Sequence, residues 1–534
     1  MNLITIVGDL KGSSNLRKIL HFGCSLSIIL MYVTLASLLI YLFLRRFRVV
    51  HKFVKFIFLA VNAVFFALDL FTVYYYHIRF NILMLNIALM TNFREGSEFL
   101  QMYLLNKSFW LFVLAIIALI FIARKVWQIA FKPGKLILCL LIIFLFAGIF
   151  SSVREISMGN GRKRDITNYL GFTRFCCMTA RYYNASREYN KVLSEPNAVI
   201  TKNLRSIPYI IFILGESAAR HHMSIYGYDL PTSPNLEKRQ IYIFNDVVCA
   251  EPHTVASVRK MFTFHNNELP GPWYNYMNLF SILKAAGYYN IWLSNQEVYI
   301  GLDAINFYVN ICDERHFIEF KSYWDGGSAY DDSLLPILDE KLTHSREKNF
   351  YMLHLNGSHV AYKNRYPAEY AKFTAKDEIS GYSGITESEK ITRAEYDNTI
   401  LYNDYVLNEI IKRFEDKNAI IIYTSDHGQE VYDLISSAGH GWFQTRNVAE
   451  VPFLIWTSRK FCESYPDLDA RIKSSVDRPY MTDDVIHTIL DIAGIETPGY
   501  DPAKSVINAK FDSSRPRINK DYIYTKEKGL IEVQ

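Results

Sequence analysis

The residues best able to do chemistry lie in four short stretches. FILGES carries Glu216, YMLHLNGSH carries His354 and His359, IIYTSDHGQE holds Asp426 and His427, and a later GHG contains His440. The first three open with an apolar, β-rich run, so their polar groups stand where a strand ends. In open α/β sheets, sites form outside the carboxyl ends of strands. Carboxylates and imidazoles gathered there suit a divalent metal, zinc above all. Singly, each residue has an ordinary role. Glu216 reads as a helix-initiating acid, Asp426 and Gly428 as turn residues, and His354 as a packed core histidine. Their joint occurrence points to a metal.

A fifth stretch, CAEPHTVASVRKMFTF (249–264), places His253 and Thr254 between a strand-like and a helix-like run. It contains neither a Ser-His-Asp constellation nor a glycine-rich phosphate loop. Thr254 precedes VASVRKMF and so stands at a helix N-terminus, where amide donors and the helix dipole favour anionic groups. Its ordinary role there is an N-cap. Beside a divalent metal, a threonine oxygen can attack phosphorus without a histidine base.

The elements that must position these residues follow from periodicity. After Pro208, the runs 209–214, 241–248, 290–293, 350–355, 419–424 and 452–456 read as buried strands. Helical patterns at 279–286, 333–343 and 393–414 lie between them. In the last, Tyr396, Ile400, Asn403, Leu407, Ile410 and Phe414 share one face. Strands alternating with helices imply an α/β domain with a central, largely parallel sheet between helices. The polar end, 500–534, reads as peripheral, and no internal repeat is evident.

The first 153 residues are of another kind. Residues 21–44, HFGCSLSIILMYVTLASLLIYLFL, contain no Asp, Glu, Lys or Arg and exceed the roughly 20 residues needed to cross a bilayer. Residues 56–76, interrupted by Asp69, and the runs 108–123 and 136–153 follow the same pattern. Four such runs imply an α-helical transmembrane domain (1–153), and no cleavage site follows the first as a signal peptide would require. The loops RRFRVVHK (45–52) and RKVWQIAFKPGK (124–135) are basic and stay cytoplasmic. The N-terminus, the 77–107 loop and everything after 153 then lie outside. Residues 154–205, where aromatics and cations interleave, read either as a solvated linker or as an interfacial one. The exported domain is 206–534. The net charge of +5 reflects this topology and implies no nucleic-acid partner. The seven cysteines lack zinc-site spacing and define no disulfide.

GESAARHHMSIYGYDLPTSPNLEK, PHTVASVRKMFTF, GSHVAYKNRYP, YDNTILYNDYV and SDHGQE together resemble the membrane-bound phosphoethanolamine transferases of the alkaline phosphatase/sulfatase superfamily. The resemblance covers roughly residues 50–460; SDHG marks only the superfamily, whereas the ordered set is specific. It implies Glu216, Thr254, Asp426 and His427 around a catalytic zinc, with Thr254 as nucleophile. His359 and His440 match a second, more weakly held zinc or a substrate-phosphate site, and His354 matches a histidine that some members place there. TNFREGSE (91–98) resembles the family's outside loop near the donor lipid, which carries over Thr91, Asn92 and Glu95; their ordinary role is to cap a surface helix. Two departures stand out. The family usually has five spans where four are counted here, and Lys260 replaces a cysteine found in many lipid A-modifying members.

The implied activity is transfer of phosphoethanolamine from phosphatidylethanolamine to an envelope acceptor: lipid A, core oligosaccharide or another glycan. The implied setting is the bacterial inner membrane, with a monomer among membrane lipids and its catalytic domain in the periplasm. Rival readings are a phosphoglycerol transferase using phosphatidylglycerol, a superfamily phosphatase or sulfatase, and a membrane-anchored binding protein with a degenerate site. GESAAR and YGY disfavour the first, and the missing Cys-x-Pro-x-Arg stretch disfavours a sulfatase. The basic loops carry the topology. Reporter fusions within 77–107 and after 160 should both report the exported side, and a periplasmic 45–52 loop would overturn the four-span count.

Overall fold

β-Branched and aromatic residues fill Tyr209–Gly215 (β1), and every residue after Tyr209 is buried. A strand covered on both faces shows such a continuous apolar run instead of an alternation. A computed structural model describes residues 198–296, 304–318, 329–378, 381–441 and 444–532, with scattered positions between 46 and 180. The chain divides into two compact units, and the strands and helices labelled below all belong to the one that holds Tyr189–Gln534.

Six further strands join β1: Tyr242–Ile243 (β2), Tyr289–Ser294 (β3), Glu314–Phe317 (β4), Asn349–His354 (β5), Ala419–Ser425 (β6) and Phe453–Thr457 (β7). Their order is β2-β7-β6-β1-β5-β3-β4. β1 runs parallel to β5 and β6, and β3 parallel to β5 and β4, whereas β7 is antiparallel to β6 and β2. The sheet is therefore mixed, with its antiparallel strands at one edge. Register does the positioning: Leu214 lies opposite His354, and Gly215 opposite Ser425. The residues that follow β1, β5 and β6 thus emerge at one edge of the sheet.

Alternate residues of β1 serve opposite faces. Ile211 and Ile213 join a core cluster with Tyr396, Ile400, Leu407 and Ile410 of a long helix, Glu387–Lys412. Phe212 instead meets Phe262 edge-on, with ring centroids 5.2 Å apart. Phe262 follows the helix Thr254–Met261 (α1), and Phe280 of Leu279–Ala285 (α2) extends the same aromatic layer to Phe350. Ala304–Ile311 (α3) and Leu334–Leu342 (α4) complete the shorter helices named here, and the long helix is α5. A reciprocal capping box of Thr386 and Glu389 starts α5.

Two expectations need correction, and one strand was not read from the sequence. The run 241–248 is two short strands: Tyr242–Ile243 joins the sheet edge, while Val247–Val248 pairs with Tyr480–Met481. The chain turns between them, where Asn245 donates to Asp477 at 2.7 Å and Arg517 contacts both oxygens of Asp246. β4, with the sequence ERHF, escapes an apolar pattern because it is an edge strand with no residue fully buried. The end of the chain is not peripheral. Arg517–Asn519, Tyr522–Thr525 and Gly529–Glu532 form an antiparallel sheet. It is pinned by Asn519 donating to the Cys249 carbonyl at 2.7 Å and Tyr524 donating to Glu450 at 2.5 Å.

In the other unit, Asp69, the charge that interrupts the second apolar run, is buried and accepts from the Phe80 backbone N–H at 3.2 Å. No helix is long and apolar enough to cross a membrane among the described residues. The runs 21–44 and 136–153, the loop 124–135 and most of 154–197 lie outside them.

One glycine has no substitute in this frame. The Gly428 N–H donates to the Val448 carbonyl at 2.8 Å, and a Cβ there would lie 2.0 Å from the Asn447 carbonyl oxygen. Overpacking of this kind costs about 1–3 kcal/mol. Gly428→Ala should lower the urea unfolding midpoint of the full chain accordingly, and an unchanged midpoint would contradict the packing described.

Candidate metal centre

Glu216 is the first residue after β1, and the backbone turns sharply behind it. Ser217 has φ 57°, a left-handed conformation that costs a non-glycine residue on the order of 1–3 kcal/mol. Three contacts hold it there. The Ser217 N–H donates to Asp426 Oδ1 at 3.0 Å, its carbonyl accepts from Tyr396 at 2.7 Å, and its hydroxyl donates to Glu216 Oε1 at 2.7 Å. Gly357, at φ 52°, passes so close that a Cβ would meet the Glu216 backbone at 2.7–2.8 Å. These contacts turn the Glu216 carboxylate inward, where Gln296 also donates to Oε2 at 3.3 Å.

Asp426 follows β6. Its Oδ1 accepts from the His427 N–H at 2.7 Å, the Ser217 N–H at 3.0 Å and the Ser425 hydroxyl at 3.2 Å. Its Oδ2 is buried and has no hydrogen-bond partner. His427 Nδ1 lies 2.9 Å from the Gly428 carbonyl. A carbonyl can only accept, so Nδ1 carries the proton and Nε2 presents its lone pair. That nitrogen lies 3.1 Å from Asp426 Oδ2 and 3.7 Å from Glu216 Oε1. One ligand atom from each of Glu216, Asp426 and His427 lies within 4.8 Å of the others, and all three residues are buried.

The donor set fits a divalent cation. Burial, and then the nearby Asp426, raise the Glu216 pKa well above the usual carboxylate range. Two buried carboxylates facing one another are costly unless a positive charge joins them. The partnerless Asp426 oxygen and the bare imidazole nitrogen are the atoms such a charge would take. Two carboxylate oxygens and one imidazole nitrogen are ligands that zinc accepts.

Thr254 opens α1 as its first helical residue, and His253 holds the N-cap position without a side-chain cap. The N-cap role available to Thr254 from sequence is thus not the one it plays. Its Oγ1 donates to Glu216 Oε2 at 3.1 Å and lies 3.4 Å from His427 Nε2. Ser257, one turn on, donates to the Asp426 carbonyl at 2.6 Å and ties α1 to the ligand loop. The threonine oxygen thus sits at the positive end of a helix and beside the ligand group.

The other histidines are placed unequally. The His440 ring lies 3.9 Å from that of His427 at 37°, and its Nδ1 is 2.7 Å from Gln429 Oε1. Burial, then His427, His253 and His359, hold His440 well below the ordinary histidine pKa, so it is neutral. His359 is half-buried, and its carbonyl accepts from Arg365 at 3.1 Å. His354 ends β5 in the core. Its Nδ1 is 3.4 Å from the Ser294 hydroxyl, its ring packs against Trp292, and burial lowers its pKa to about 4. Among the described residues, the compact ligand group is Glu216, Asp426 and His427; His354, His359 and His440 do not form another. Thr91, Asn92 and Glu95 lie outside the described residues.

Three contributors, Ser217, Ser425 and Gln296, were not singled out from sequence. Ser217 and Ser425 sit beside named ligands and brace them. Gln296 lies just beyond β3 and carries the same after-strand signal as Glu216. His253 packs near His440, with ring centroids 6.2 Å apart, and a Cβ on Gly441 would strike its ring. Lys260, which stands in the family's cysteine position, is buried; its ammonium contacts Glu251 and Asn267. Cys176, Cys249, Cys312 and Cys462 are all free.

Residues 208–495 match the Sulfatase family model. Over 370 residues the chain is 31% identical to the phosphoethanolamine transferase EptC of Escherichia coli O18:K1:H7, covering 66% of this chain and 63% of that protein. The chain thus spans a little under two thirds of that relative's length. A crystal structure of the C-terminal periplasmic domain of EptC from Escherichia coli, in complex with Zn, matches at 31% identity and a TM-score of 0.57, covering 63% of this chain and 96% of that one. The integral membrane lipooligosaccharide phosphoethanolamine transferase A from Neisseria meningitidis shares the fold at 19% identity and a TM-score of 0.62, over 93% of this chain and 98% of that one.

The geometry separates holding a metal from reacting beside it. Asp426→Asn removes a charge from the ligand group, so zinc content measured on the purified chain should fall from near stoichiometric to a small residue. Thr254→Ala should retain most of it. Equal zinc in Asp426→Asn and the parent chain would refute the ligand assignment.

Proposed function

The chain belongs to the sulfatase family and is related to the bacterial phosphoethanolamine transferases, and from that premise we propose that it moves phosphoethanolamine from phosphatidylethanolamine to a cell-envelope acceptor by way of Thr254. The observation that carries this reading is the Thr254 hydroxyl, 3.1 Å from Glu216 and at the edge of the Glu216–Asp426–His427 group. A nucleophile and a ligand set brought together in this way suit group transfer at phosphorus.

Zinc held by Glu216, Asp426 and His427 would supply a Lewis acid that eases loss of the threonine proton and offsets charge on the transferring group. In the first half-reaction, Thr254 Oγ1 forms a bond to phosphorus while the bond from phosphorus to the diacylglycerol oxygen breaks. The hydroxyl proton leaves towards Glu216 Oε2 and ends on diacylglycerol. Thr254 then carries phosphoethanolamine as a phosphodiester. In the second half-reaction, an acceptor oxygen displaces Thr254 and its proton returns to the threonine. The neutral His440 gives its Nδ1 proton to Gln429 Oε1, so its Nε2 lone pair is proposed to serve a second, more weakly held zinc, and His359 is proposed to hydrogen-bond the substrate phosphate. Thr91, Asn92 and Glu95 are proposed to contact the donor lipid headgroup.

The same reading sets the protein in the bacterial inner membrane, with four spans at 1–153 and residues 206–534 in the periplasm. Its support is the apolar pattern of the first 153 residues and the fold shared with an integral membrane relative. The acceptor proposed is an envelope glycolipid or glycan.

The covalent intermediate is the most direct test. Purified full-length protein is incubated with phosphatidylethanolamine without acceptor, digested, and the peptide spanning 249–264 weighed. Phosphoethanolamine on Thr254 is expected. Phosphoglycerol after incubation with phosphatidylglycerol alone would favour the phosphoglycerol transferase, and bare phosphate would favour a phosphatase. Thr254→Ala should abolish the adduct and lower diacylglycerol release at least ~10³-fold, the scale of losing a covalent nucleophile. Thr254→Ser should retain partial activity. Normal release by Thr254→Ala would exclude the threonine mechanism.

A further inference from the structure

A cleft of about 360 Å³ opens on the surface between Asp332, Pro367, Glu369, Tyr370, Lys372 and Tyr405. Its size falls within the range of small-molecule sites, about 300–1,000 Å³. Its aromatic wall is built before any ligand arrives. The ring centroids of Tyr370 lie 4.9 Å from Tyr402 and 5.3 Å from Tyr405, and Tyr402 stacks on Tyr405 at 26°. Tyr402 is buried, whereas Tyr370 and Tyr405 are half-buried. The strap that carries Tyr370 is fixed to α5 by Asn398. Its Oδ1 accepts from the Lys372 and Phe373 N–H groups at 2.8 Å each, and its Nδ2 donates to the Phe373 carbonyl at 3.0 Å.

Both walls of the cleft are tied to the metal centre. Asp332 adjoins the buried Asp331, which accepts from the Asn356 N–H at 2.8 Å and the Gly357 N–H at 2.9 Å. Gly357 is the residue packed against the Glu216 backbone. On the other side, Pro367 follows Arg365, whose guanidinium donates to the His359 and Val360 carbonyls at 3.1 and 2.7 Å. A ligand seated in the cleft therefore rests on segments hydrogen-bonded to the loop 356–360, which carries His359 and packs Gly357 against the Glu216 backbone.

We propose that this cleft is the acceptor subsite and that it binds a neutral sugar ring of an envelope glycan. Tyrosine faces offer broad, rigid apolar area with a polar rim, which matches the C–H face of a sugar. Asp332 and Glu369 accept hydroxyl hydrogens. Two carboxylates against one lysine disfavour a phosphate-bearing ring at this position. An ethanolammonium group would leave most of the volume unfilled, since about 360 Å³ is on the order of ten water volumes. The subsite rests on the transfer reading above and adds to it the chemistry of the group that receives phosphoethanolamine.

Two measurements on the full chain in detergent decide it. The first separates the half-reactions in Tyr370→Ala and Tyr405→Ala. Acceptor KM should rise about tenfold or more, the scale of removing one aromatic anchor. Diacylglycerol release from phosphatidylethanolamine should stay within about twofold, since the first half-reaction does not involve the acceptor. Tyr370→Phe and Tyr405→Phe keep the ring and should stay near the parent value. Equal losses in both half-reactions, or no change in acceptor KM, would overturn the subsite. The second needs no turnover. Saturation-transfer NMR is recorded with neutral oligosaccharide released by mild acid from the host's own envelope glycolipid, and separately with ethanolamine. Saturation of sugar ring protons that disappears in the Tyr370→Ala/Tyr405→Ala double variant supports the proposal. Sugar signals equal in parent and variant, or loss confined to ethanolamine, reject it. If the parent chain releases no diacylglycerol, the transfer reading fails while the NMR result still decides what the cleft binds.

Discussion

Two carboxylates, Glu216 and Asp426, are buried side by side at the ends of adjacent strands, and the surrounding structure is organised around that electrostatic cost. Two backbone N–H groups hold one oxygen of Asp426, with the Ser425 hydroxyl beside it, and the other oxygen is left bare. The His427 tautomer is set from behind by the Gly428 carbonyl, so its open nitrogen faces the same space. Ser217 accepts an unfavourable backbone conformation to close the ring. An arrangement so expensive without a cation is inexpensive with one, because the attraction that offsets burial is strongest where water is excluded.

That ring is braced from two sides. Behind the His427 loop, Gly428 presses against 447–448, and the helix Arg446–Ala449 leads into the buried Glu450. Glu450 gathers Arg220, His221, Arg446 and Tyr524. One carboxylate therefore links the loop after β1, the loop after β6 and the C-terminal sheet. On the α5 side, His222 sits between Asp397 at 2.6 Å and Asp433 at 3.1 Å, next to the pair of Arg393 and Glu378 at 3.0 Å. Burial opposes a charge on His222, but Asp433 and Asp397 outweigh it and hold its pKa at about 10. A pKa raised in this way contributes stability fully below the unfolded value and loses it progressively as pH climbs towards about 10, so most of the clamp's contribution remains at neutral pH.

The substitution of Lys260 fits the same economy of charge. Where the family resemblance leads one to expect a cysteine, a buried ammonium joins Glu251 and Asn267 beside α1. The helix that presents Thr254 is thereby fixed by polar contacts.

The sequence by itself determined the central strands and their polar sequels. Apolar runs of 209–214, 350–355 and 419–424 became adjacent parallel strands, because continuous β-branched and aromatic character allows burial on both faces. Glu216, Asp426 and His427 then had to share an edge, since residues following neighbouring parallel strands in register emerge together. Thr254 was also legible, as the start of a helix. Tertiary structure alone decided that its hydroxyl faces Glu216 and does not cap its own helix, because that depends on how α1 packs on β1 through Phe262 and Phe212. It decided, too, that His354 turns into the core while the His440 ring lies tilted against His427. Histidine spacing along a chain carries no information about which side of a strand or loop each ring faces. The polar tail misled for the same reason. Arg517, Asn519 and Tyr524 look solvated in sequence, yet each satisfies a buried partner far away in the chain, and only the folded chain supplies those partners.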